Sequence, residues 1–293
     1  MVAAVKIWIN AIRPKTLPAG MIPVMIGGSV AYWQGYFDIG LLAITLICAL
    51  SIQITTNFIN EIYDYKRGAD GDDRLGPERA VATRKIASST MRNVSIFLIL
   101  ITFSLGMILV AHAGVGILIV GVVSLIFAWA YTGGPFPLAY KGLGDIFVFI
   151  FFGLIAVSGT YYVQTLRFDW IAFLSGIAPG IFSMNILAVN NIRDIDTDPS
   201  AGKITLAVRL GKKKAQVLYA VLNILAYVPI IIIYIISENT IVLLPLVTII
   251  YAAVLIKNVF VKTGKDLNDV LAGTGKLLLI YGLLFCLGMI MSK

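Results

Sequence analysis

Long apolar stretches alternate with short polar connections along almost the whole chain. A membrane-spanning helix needs roughly 20 apolar residues, each adding about 1.5 Å along the helix axis. The pattern therefore predicts an all-α integral membrane bundle of nine transmembrane helices, capped by polar cytoplasmic loops, in a single domain covering residues 1–293. The predicted spans are 17–34, 39–60, 95–111, 114–131, 145–163, 170–190, 216–236, 240–256 and 273–291.

The composition excludes an ordinary water-soluble domain. Hydrophobic residues make up 59% of the chain and charged residues only 13%, and the mean hydropathy is +0.93. Soluble domains usually carry about 25% charged residues, so lipid is the expected solvent. The net charge of +8 fits cytoplasmic loops near anionic headgroups better than a nucleic-acid surface. We expect membrane lipid, and no nucleic acid, as a partner; the sequence leaves the oligomeric state open.

The connections between predicted spans alternate sharply in positive charge. If the N-terminus lies in the cytoplasm, 21 of the 23 lysines and arginines fall on the cytoplasmic side, which leaves Arg167 and Lys293 outside. Positive residues concentrate in cytoplasmic loops of membrane proteins. This distribution predicts a multi-pass protein of the cell membrane with its N-terminus in the cytoplasm and its C-terminus outside.

Acidic residues cluster in two segments that each leave a predicted span on the cytoplasmic side. In the first, residues 57–72, Asn57, Asn60 and Asp64 have the i, i+3, i+7 spacing of one helix face. A glycine-containing turn then brings Asp70 and Asp72 back toward that face. We call residues 57–72 the first motif.

The second motif, residues 190–203, repeats this arrangement. Asn190, Asp194 and Asp198 stand at i, i+4 and i+8, again on one helix face, and Pro199 marks a turn. Both motifs contain Asn-xxx-Asp, 130 residues and four predicted spans apart. The offset indicates two pseudo-repeats of about four helices each, with both motifs at the same membrane face.

Two carboxylate sets at an apolar boundary require cations. Carboxylates about 4 Å apart repel by roughly 4 kcal/mol at an effective dielectric constant of 20. Mg²⁺ prefers oxygen ligands and commonly binds through one or two carboxylates plus substrate phosphates. Interleaved basic residues add donors for phosphate oxygens. The inferred ligand is a diphosphate held by Mg²⁺ between the motifs; the basic residues are Arg67, Arg74, Arg193, Lys203 and Arg209.

At these residues the chain resembles the UbiA-like superfamily of intramembrane aromatic prenyltransferases, which use paired Asn-xxx-Asp-xxx-Asp motifs. Four stretches carry the resemblance: 13–18, 60–70, 131–144 and 190–211. The last, with Asn-Asn-Ile-Arg-Asp and Ala-Gly-Lys-Ile-Thr-Leu-Ala, is the most specific. The resemblance is strongest to the branch that acts on 1,4-dihydroxy-2-naphthoate in menaquinone synthesis. Two departures are Glu61, where many relatives have Asp, and Gly68, where a strict first repeat has Asp.

The resemblance implies Mg²⁺-assisted ionisation of a polyprenyl diphosphate, followed by attack of dihydroxynaphthoate on the allylic cation and loss of CO₂. Metal ligands would be Asp64, Asp194, Asp198 and either Asp70 or Asp72, and catalytic residues would be Asp64, Asp194, Lys203 and Tyr131, the last as an aromatic face for the cation. Diphosphate-binding residues would be Asn60, Arg67, Arg74, Lys141, Asn190, Arg193 and Lys203.

Other functions remain open at this point. Within the superfamily the acceptor could instead be 4-hydroxybenzoate, homogentisate, a chlorophyllide or a glycerol-phosphate lipid. A secondary transporter would place polar residues near the bilayer midplane, whereas Asp145 and Asp169 stand at span ends. An alcohol phosphatidyltransferase would need an Asp-xx-Asp-Gly-xx-Ala-Arg pattern, which the sequence lacks. The prenyl chain length and the route of substrate entry are not specified.

Overall fold

The computed structural model describes residues 2–71 and 74–293, and within these ranges every regular element is helical. The helices are α1 Val2–Ile12, α2 Leu17–Trp33, α3 Ile39–Lys66, α4 Ser88–Ala113, α5 Val115–Ala130, α6 Gly144–Thr165, α7 Trp170–Arg193, α8 Leu206–Leu210, α9 Lys212–Ser237, α10 Thr240–Val261 and α11 Gly264–Met291. Short 3₁₀ turns at Pro14–Thr16, Leu138–Lys141 and Asp198–Ala201 lie between them.

Seven helices in the described part of the chain are long and apolar enough to cross a membrane: α3, α4, α6, α7, α9, α10 and α11. Helices α2 and α5 have 17 and 16 residues, about 25 Å at the α-helical rise, and coincide with the first and fourth predicted spans. The all-helical membrane architecture is confirmed. The count of nine transmembrane helices stays a prediction.

Helices α6 and α7 pack unusually closely because glycines replace side chains where they cross. A Cβ added at Gly153 would lie 2.5 Å from the carbonyl oxygen of Gly176, and one at Gly180 would lie 2.8 Å from that of Phe149. Small residues allow such close approach between membrane helices. A π-helical turn, Ile150–Ile155, interrupts α6 at the same level. Gly176 and Gly180 therefore serve the packing of α7 against α6.

The apolar core lies between α2, α7, α9 and α11, where Ile22, Phe182, Tyr219 and Tyr281 are almost completely buried. Large apolar side chains on the outer faces are exposed instead, for example Phe97, Ile126, Ile235 and Ile250. An exposed apolar belt is expected where lipid, rather than water, covers the surface.

The polar end of the bundle is formed by the C-terminal turns of α3 and α7, the N-terminal turn of α6, and the segments that follow α3 and α7. The chain after α3 folds back over this end, since the backbone N–H of Val81 donates to Glu61 Oε1 at 2.9 Å. Asn268, near the start of α11, donates to the carbonyl oxygen of Leu75 at 3.0 Å. These two contacts fasten the loop after α3 to α3 itself and to α11.

Candidate active site

A cavity of about 280 Å³ lies at the polar end, between α3, α6 and α7. Asp64 and Asn60 enter its wall from α3, and Asp194 and Asn190 from the end of α7. The helical spacing within each motif therefore places amide and carboxylate on one face, as predicted, and the two faces line the same cavity. The other predicted site residues in its wall are Arg74, Tyr131, Asp198 and Lys203.

Asp64, on the last turns of α3, is held from two directions. The Tyr140 hydroxyl donates to Asp64 Oδ1 at 2.9 Å, and Arg79 Nη2 lies 3.4 Å from Asp64 Oδ2. Burial and the adjacent carboxylate raise the pKa of the Tyr140 phenol, so it stays a hydrogen-bond donor. The carboxylate is thereby fixed at the wall of the cavity.

The remaining polar residues of α3 anchor the surrounding segments. Asn60 Oδ1 accepts a hydrogen bond from the Thr132 hydroxyl at 2.8 Å, and Asn57 Nδ2 donates to the carbonyl oxygen of Ile12 at 2.8 Å. The first contact holds the segment after α5, and the second holds the chain between α1 and α2. Among the described residues no hydrogen bond uses the Asn60 amide nitrogen, so this side chain in the cavity wall can donate to a ligand.

The side chain of Asp70 is completely buried between two arginines. Its Oδ1 pairs with Arg74 Nη1 and lies 3.5 Å from Arg79 Nε. Burial raises the pKa of Asp70 to about 6, and Asp64 adds to this while Arg74 opposes it. Asp70 therefore balances the arginines of the loop, and its metal-binding role stays a prediction. Asp72, the alternative ligand, lies outside the described residues.

Asp194 is clamped by the residue before it in the sequence. Arg193 Nε and Nη2 donate to Asp194 Oδ1 and Oδ2 at 2.8 and 2.6 Å, a bidentate pair. Arg193 Nη2 also donates to Asn190 Oδ1 at 2.9 Å, and Nη1 to Asn268 Oδ1 at 2.6 Å. Arg193 is only 3% exposed, so it orients Asp194 and Asn190 from the buried side of the second motif. The structure shows a positioning contact where the sequence predicted diphosphate binding.

Asp198 and Lys203 form a second pair in the cavity wall, with Lys203 Nζ 3.2 Å from Asp198 Oδ1. Burial raises the pKa of Asp198 to about 6; Lys203 opposes the shift, and Asp194 and Asp64 add to it. The influence of Asp64 shows that carboxylates of the two motifs lie within electrostatic reach. Among residues 2–71 and 74–293, the buried Asp198 Oδ2 has no hydrogen-bond partner.

Two residues that were predicted to bind the diphosphate contact other groups of the protein instead. Arg67 Nη2 donates to the carbonyl oxygen of Gly134 at 3.0 Å, and its guanidinium lies 4.7 Å from the centre of the Tyr140 ring. Lys141 is exposed, with Nζ 5.8 Å from the centre of the Phe136 ring. In this conformation both cations flank the cavity, and their role toward a substrate stays a prediction.

Tyr131 stands where the polar cavity meets a second, apolar cavity of about 220 Å³. Thr56, Val148 and Phe152 also line both spaces, so the two are adjacent. The second cavity extends between α3, α4, α5 and α6, and the π-helical turn of α6 contributes Phe151, Phe152 and Ile155 to its wall. The predicted position of Tyr131, beside a reacting prenyl carbon, is compatible with this junction.

Sequence reasoning missed Arg13, Arg79 and Tyr140 as site residues. Arg13 lines the cavity in a left-handed backbone conformation, φ 59°, which costs a non-glycine residue about 1–3 kcal/mol. Its buried Nη2 finds no acceptor within the described ranges, and burial together with the positive Arg74 lowers its pKa. An unpaired guanidinium in such a position is suited to an anion. The sequence did contain one indication of its role, because Arg13 belongs to the 13–18 stretch that carries part of the family resemblance.

The donor set fits a hard divalent cation. In the part of the chain that the structure describes, no three acidic, histidine or cysteine side chains form a ready-made metal site. Mg²⁺ commonly takes only one or two carboxylates and completes its shell with water and phosphate oxygens. Asp64 and Asp198 supply carboxylate oxygens, and the unpartnered Asp198 Oδ2 is a free ligand atom. These residues, with Asp194, are the ones that would hold the metal.

Comparison with known proteins agrees with this geometry. The model of the UbiA prenyltransferase family matches residues 20–290. Two similar relatives are called 1,4-dihydroxy-2-naphthoate octaprenyltransferase: one from Mycobacterium tuberculosis, 37% identical over 225 residues (75% of this chain and 77% of the relative), and one from Escherichia coli, 38% identical over 221 residues (73% and 72%).

Solved structures show the same fold at low sequence identity. A UbiA homolog from Aeropyrum pernix matches with a TM-score of 0.72 at 16% identity, over 92% of this chain and 98% of that one. A UbiA homolog from Archaeoglobus fulgidus, bound to DMAPP and Mg²⁺, matches with a TM-score of 0.64 at 12% identity, over 97% and 99%. With a cavity lined by both carboxylate motifs and a family match over nearly its whole length, the chain belongs to the UbiA prenyltransferase family.

Proposed function

We propose that this protein transfers a polyprenyl group from polyprenyl diphosphate to 1,4-dihydroxy-2-naphthoate, with loss of CO₂, to give demethylmenaquinol, the reduced form of demethylmenaquinone. The observation that carries the proposal is the polar cavity lined by both motifs and joined, at Tyr131, to an apolar cavity. A charged diphosphate and a long hydrocarbon chain need such adjoining polar and apolar spaces. The names of the relatives support the choice of acceptor.

The diphosphate end of the substrate is assigned to the polar cavity. Arg13, Arg74 and Lys203 line it, and each can donate to phosphate oxygens. When bound there, Mg²⁺ would neutralise charge that develops on the departing diphosphate. Asp64, Asp194 and Asp198 would hold the ion, while Arg193 keeps Asp194 in position. Electrostatic stabilisation of this kind is usually the largest contribution to catalysis.

The prenyl chain is assigned to the apolar cavity, whose wall is built from α3, α4, α5 and α6. The first carbon of the chain would then lie at the junction, beside Tyr131 and Phe152. Aromatic faces stabilise a neighbouring cation, and the apolar wall excludes water that would otherwise capture it.

Three buried oxygen atoms of the polar cavity suit an acceptor with hydroxyl groups. Gln53 Oε1, Ser183 Oγ and Asn191 Oδ1 have no hydrogen-bond partner among the described residues, and all three residues line the cavity. A diphosphate and a hydrocarbon chain bring no donors for the two amide oxygens. The hydroxyls of 1,4-dihydroxy-2-naphthoate do, and burying a polar atom without a partner costs about 1–3 kcal/mol.

The test is incubation of the purified protein with dihydroxynaphthoate, a radiolabelled prenyl diphosphate and Mg²⁺, with 4-hydroxybenzoate as a competing acceptor. We expect a labelled prenylated naphthalene product with release of CO₂, and no product after chelation of the metal. Preferential labelling of 4-hydroxybenzoate would overturn the acceptor assignment. Absence of product with every aromatic acceptor would overturn the proposed function.

If the prenyl chain lies in the apolar cavity, filling that cavity should lower activity with long prenyl diphosphates. Gly159 lines it, and a Cβ added there meets open space, so Gly159→Leu should fold and occupy part of the chain's volume. We expect about a tenfold loss of activity with the longest prenyl diphosphates and little change with geranyl diphosphate, measured as kcat/KM. The control is Gly116→Leu, the same change at an exposed position of α5; an equal loss there would contradict the assignment.

The charge distribution further supports a cytoplasmic position for the polar cavity, with the N-terminus on the same side and the C-terminus outside. The motif-bearing ends of α3 and α7 lie at this cavity, while Asp169 caps the opposite end of α7 by accepting from the backbone N–H of Ile171 at 2.7 Å. This sidedness is part of the proposal.

A further inference from the structure

Asp145 is a buried carboxylate in the wall of the polar cavity that neither motif contains. It lies in the first turn of α6 and is 3% exposed. Within the described residues no cation lies within salt-bridge distance of it; Lys203 acts on it only from further away, and the Lys203 ammonium is already paired with Asp198. Burying an unpaired carboxylate is costly, so its presence requires an explanation.

Its position relative to the two cavities is informative. Asp145 and Val148 are three residues apart in α6 and share a helix face. Val148 lines both cavities, whereas Asp145 lines only the polar one. The backbone of Asp145 is therefore about 4.5 Å along the helix axis from that of Val148, which lines the junction where the first prenyl carbon is assigned. Tyr131 lies beside the same turn, since a Cβ added at Gly144 would be 3.1 Å from its hydroxyl oxygen.

We propose that Asp145 is a catalytic proton acceptor, which takes the proton of the acceptor hydroxyl adjacent to the reacting ring carbon and later returns it. The proposal rests on the proposed function, because it requires a hydroxylated aromatic acid as acceptor. A base is needed where the new bond forms, and the motif carboxylates Asp64, Asp194 and Asp198 are assigned to the metal and are also paired with Arg79, Tyr140, Arg193 and Lys203.

The proton and electron balance follows from the chemistry of a hydroxy acid. As the ring carbon that bears the carboxylate bonds to the prenyl carbon, electrons move from the adjacent hydroxyl into the ring, and the hydroxyl proton passes to Asp145. The ring oxygen is then a ketone, β to the carboxylate. The bond to the carboxylate breaks, CO₂ leaves, and the electron pair returns to the ring oxygen. Asp145 gives back its proton to that oxygen and restores the aromatic hydroxyl, so no further reactant is required.

A purely structural role for Asp145 would have a different signature. A carboxylate at the first turn of a helix interacts favourably with the backbone N–H groups there, and asparagine of nearly the same shape preserves that interaction in part. Asp145→Asn should therefore fold. The matched control is Asp169→Asn, which also replaces an aspartate at the beginning of a helix but lies at the far end of the bundle.

The experiment compares the wild type, Asp145→Asn, Asp145→Glu and Asp169→Asn in detergent, with dihydroxynaphthoate, prenyl diphosphate and Mg²⁺. General base catalysis typically contributes about 10²–10⁴-fold. We expect Asp145→Asn to lose at least about 100-fold in kcat, with KM for the prenyl diphosphate changed less than about threefold. Asp145→Glu should recover part of the loss, and Asp169→Asn should match the wild type.

A second measurement separates proton transfer from positioning. In a series of acceptors with increasingly acidic hydroxyls, the ratio of wild-type to Asp145→Asn rates should fall toward one, because an ionised hydroxyl needs no base. A constant ratio along the series, or an Asp145→Asn variant as active as wild type, would overturn the proposal. Failure of the wild type to prenylate dihydroxynaphthoate would instead overturn the proposed function, so the two failures are distinguishable.

Discussion

The two motifs present similar carboxylates to one cavity but hold them by different means. In the second motif, the partners are local: Arg193 clamps its neighbour Asp194, and Lys203 pairs with Asp198 five residues earlier. In the first motif, Asp64 depends on Arg79, fifteen residues further on, and on Tyr140, which follows α5. The carboxylates of the second motif therefore find their charge partners within the motif, although Arg193 also bonds Asn268 of α11, whereas Asp64 depends on the loop after α3 and on the segment after α5.

This difference has a physical consequence. A carboxylate paired with its sequence neighbour is oriented as soon as the helix end forms, because little chain must be ordered to bring the partners together. A carboxylate paired across a long loop is oriented only when that loop is docked. We infer that the first motif is the half whose geometry is sensitive to the surrounding structure, and the predictions below test this.

The largest effect is expected from removing a carboxylate from either motif. Asp64→Asn and Asp194→Asn should each lower kcat/KM by about 1,000-fold, since losing one metal ligand removes several kcal/mol of transition-state stabilisation. Both variants should stay folded in detergent, because asparagine retains the side-chain shape. The measurement is prenyl transfer at saturating Mg²⁺, with gel filtration as the folding control. Full activity of either variant would remove that residue from the metal site.

The helices and the geometry of the motifs could be predicted from the sequence because both depend on local periodicity. The seven long apolar helices fall on predicted spans, and the spacings Asn60 to Asp64 and Asn190 to Asp194 place each pair on one face. The meeting of the two faces was inferred less directly, from the repeated motif and the expected sidedness. The cavity that both faces line confirms that they meet.

The partners of these side chains could not be predicted, because they come from distant segments. Nothing local to Asp64 indicates Tyr140, and Asp145 was set aside as a residue at a span end, although the fold places it in the cavity wall. Arg193 illustrates a different difficulty. An arginine among acidic residues can bind the substrate or orient a carboxylate, and only the hydrogen bonds show which it does here.

The second prediction compares the charge pairs of the two motifs. Arg79→Met should destabilise the protein by about 3 kcal/mol, because it leaves the buried carboxylate of Asp64 without a cation and leaves Arg74 alone to balance Asp70. Adding Asp70→Asn should recover much of that stability and retain activity within about tenfold. Arg193→Met with Asp194→Asn should recover stability in the same way but remain inactive, since Asp194 lines the cavity.

The measurements for these variants are the unfolding midpoint in detergent and kcat/KM. One outcome would reverse the interpretation of Asp70. If Asp70→Asn alone folds normally yet loses as much activity as Asp64→Asn, then Asp70 binds the metal, as the motif spacing predicted, and its contacts with Arg74 and Arg79 belong to the metal-free state.

The smallest effect is expected where the two halves touch. A Cβ added at Gly76 would lie 2.8 Å from Arg193 Nη2 and 3.0 Å from Arg74 Nη2. The loop after α3 therefore packs directly against Arg193, the arginine that holds Asp194 of the second motif. Arg193 cannot move freely, because it makes four hydrogen bonds to Asp194, Asn190 and Asn268. Gly76→Ala should therefore displace the loop, at a cost of about 1 kcal/mol for the added methyl group.

Because this loop carries Arg79, one of the two partners of Asp64, the displacement should appear in the first motif rather than the second. We expect Gly76→Ala to raise the Mg²⁺ concentration required for half-maximal activity about fivefold, with kcat at saturating Mg²⁺ nearly unchanged. Gly116→Ala is the control, since Gly116 lies at the other end of α5 from Tyr131 and a Cβ there meets open space among the described residues. Equal Mg²⁺ dependence in the two variants would show that the first motif is oriented without the docked loop, and that the two halves of the site are equally self-contained.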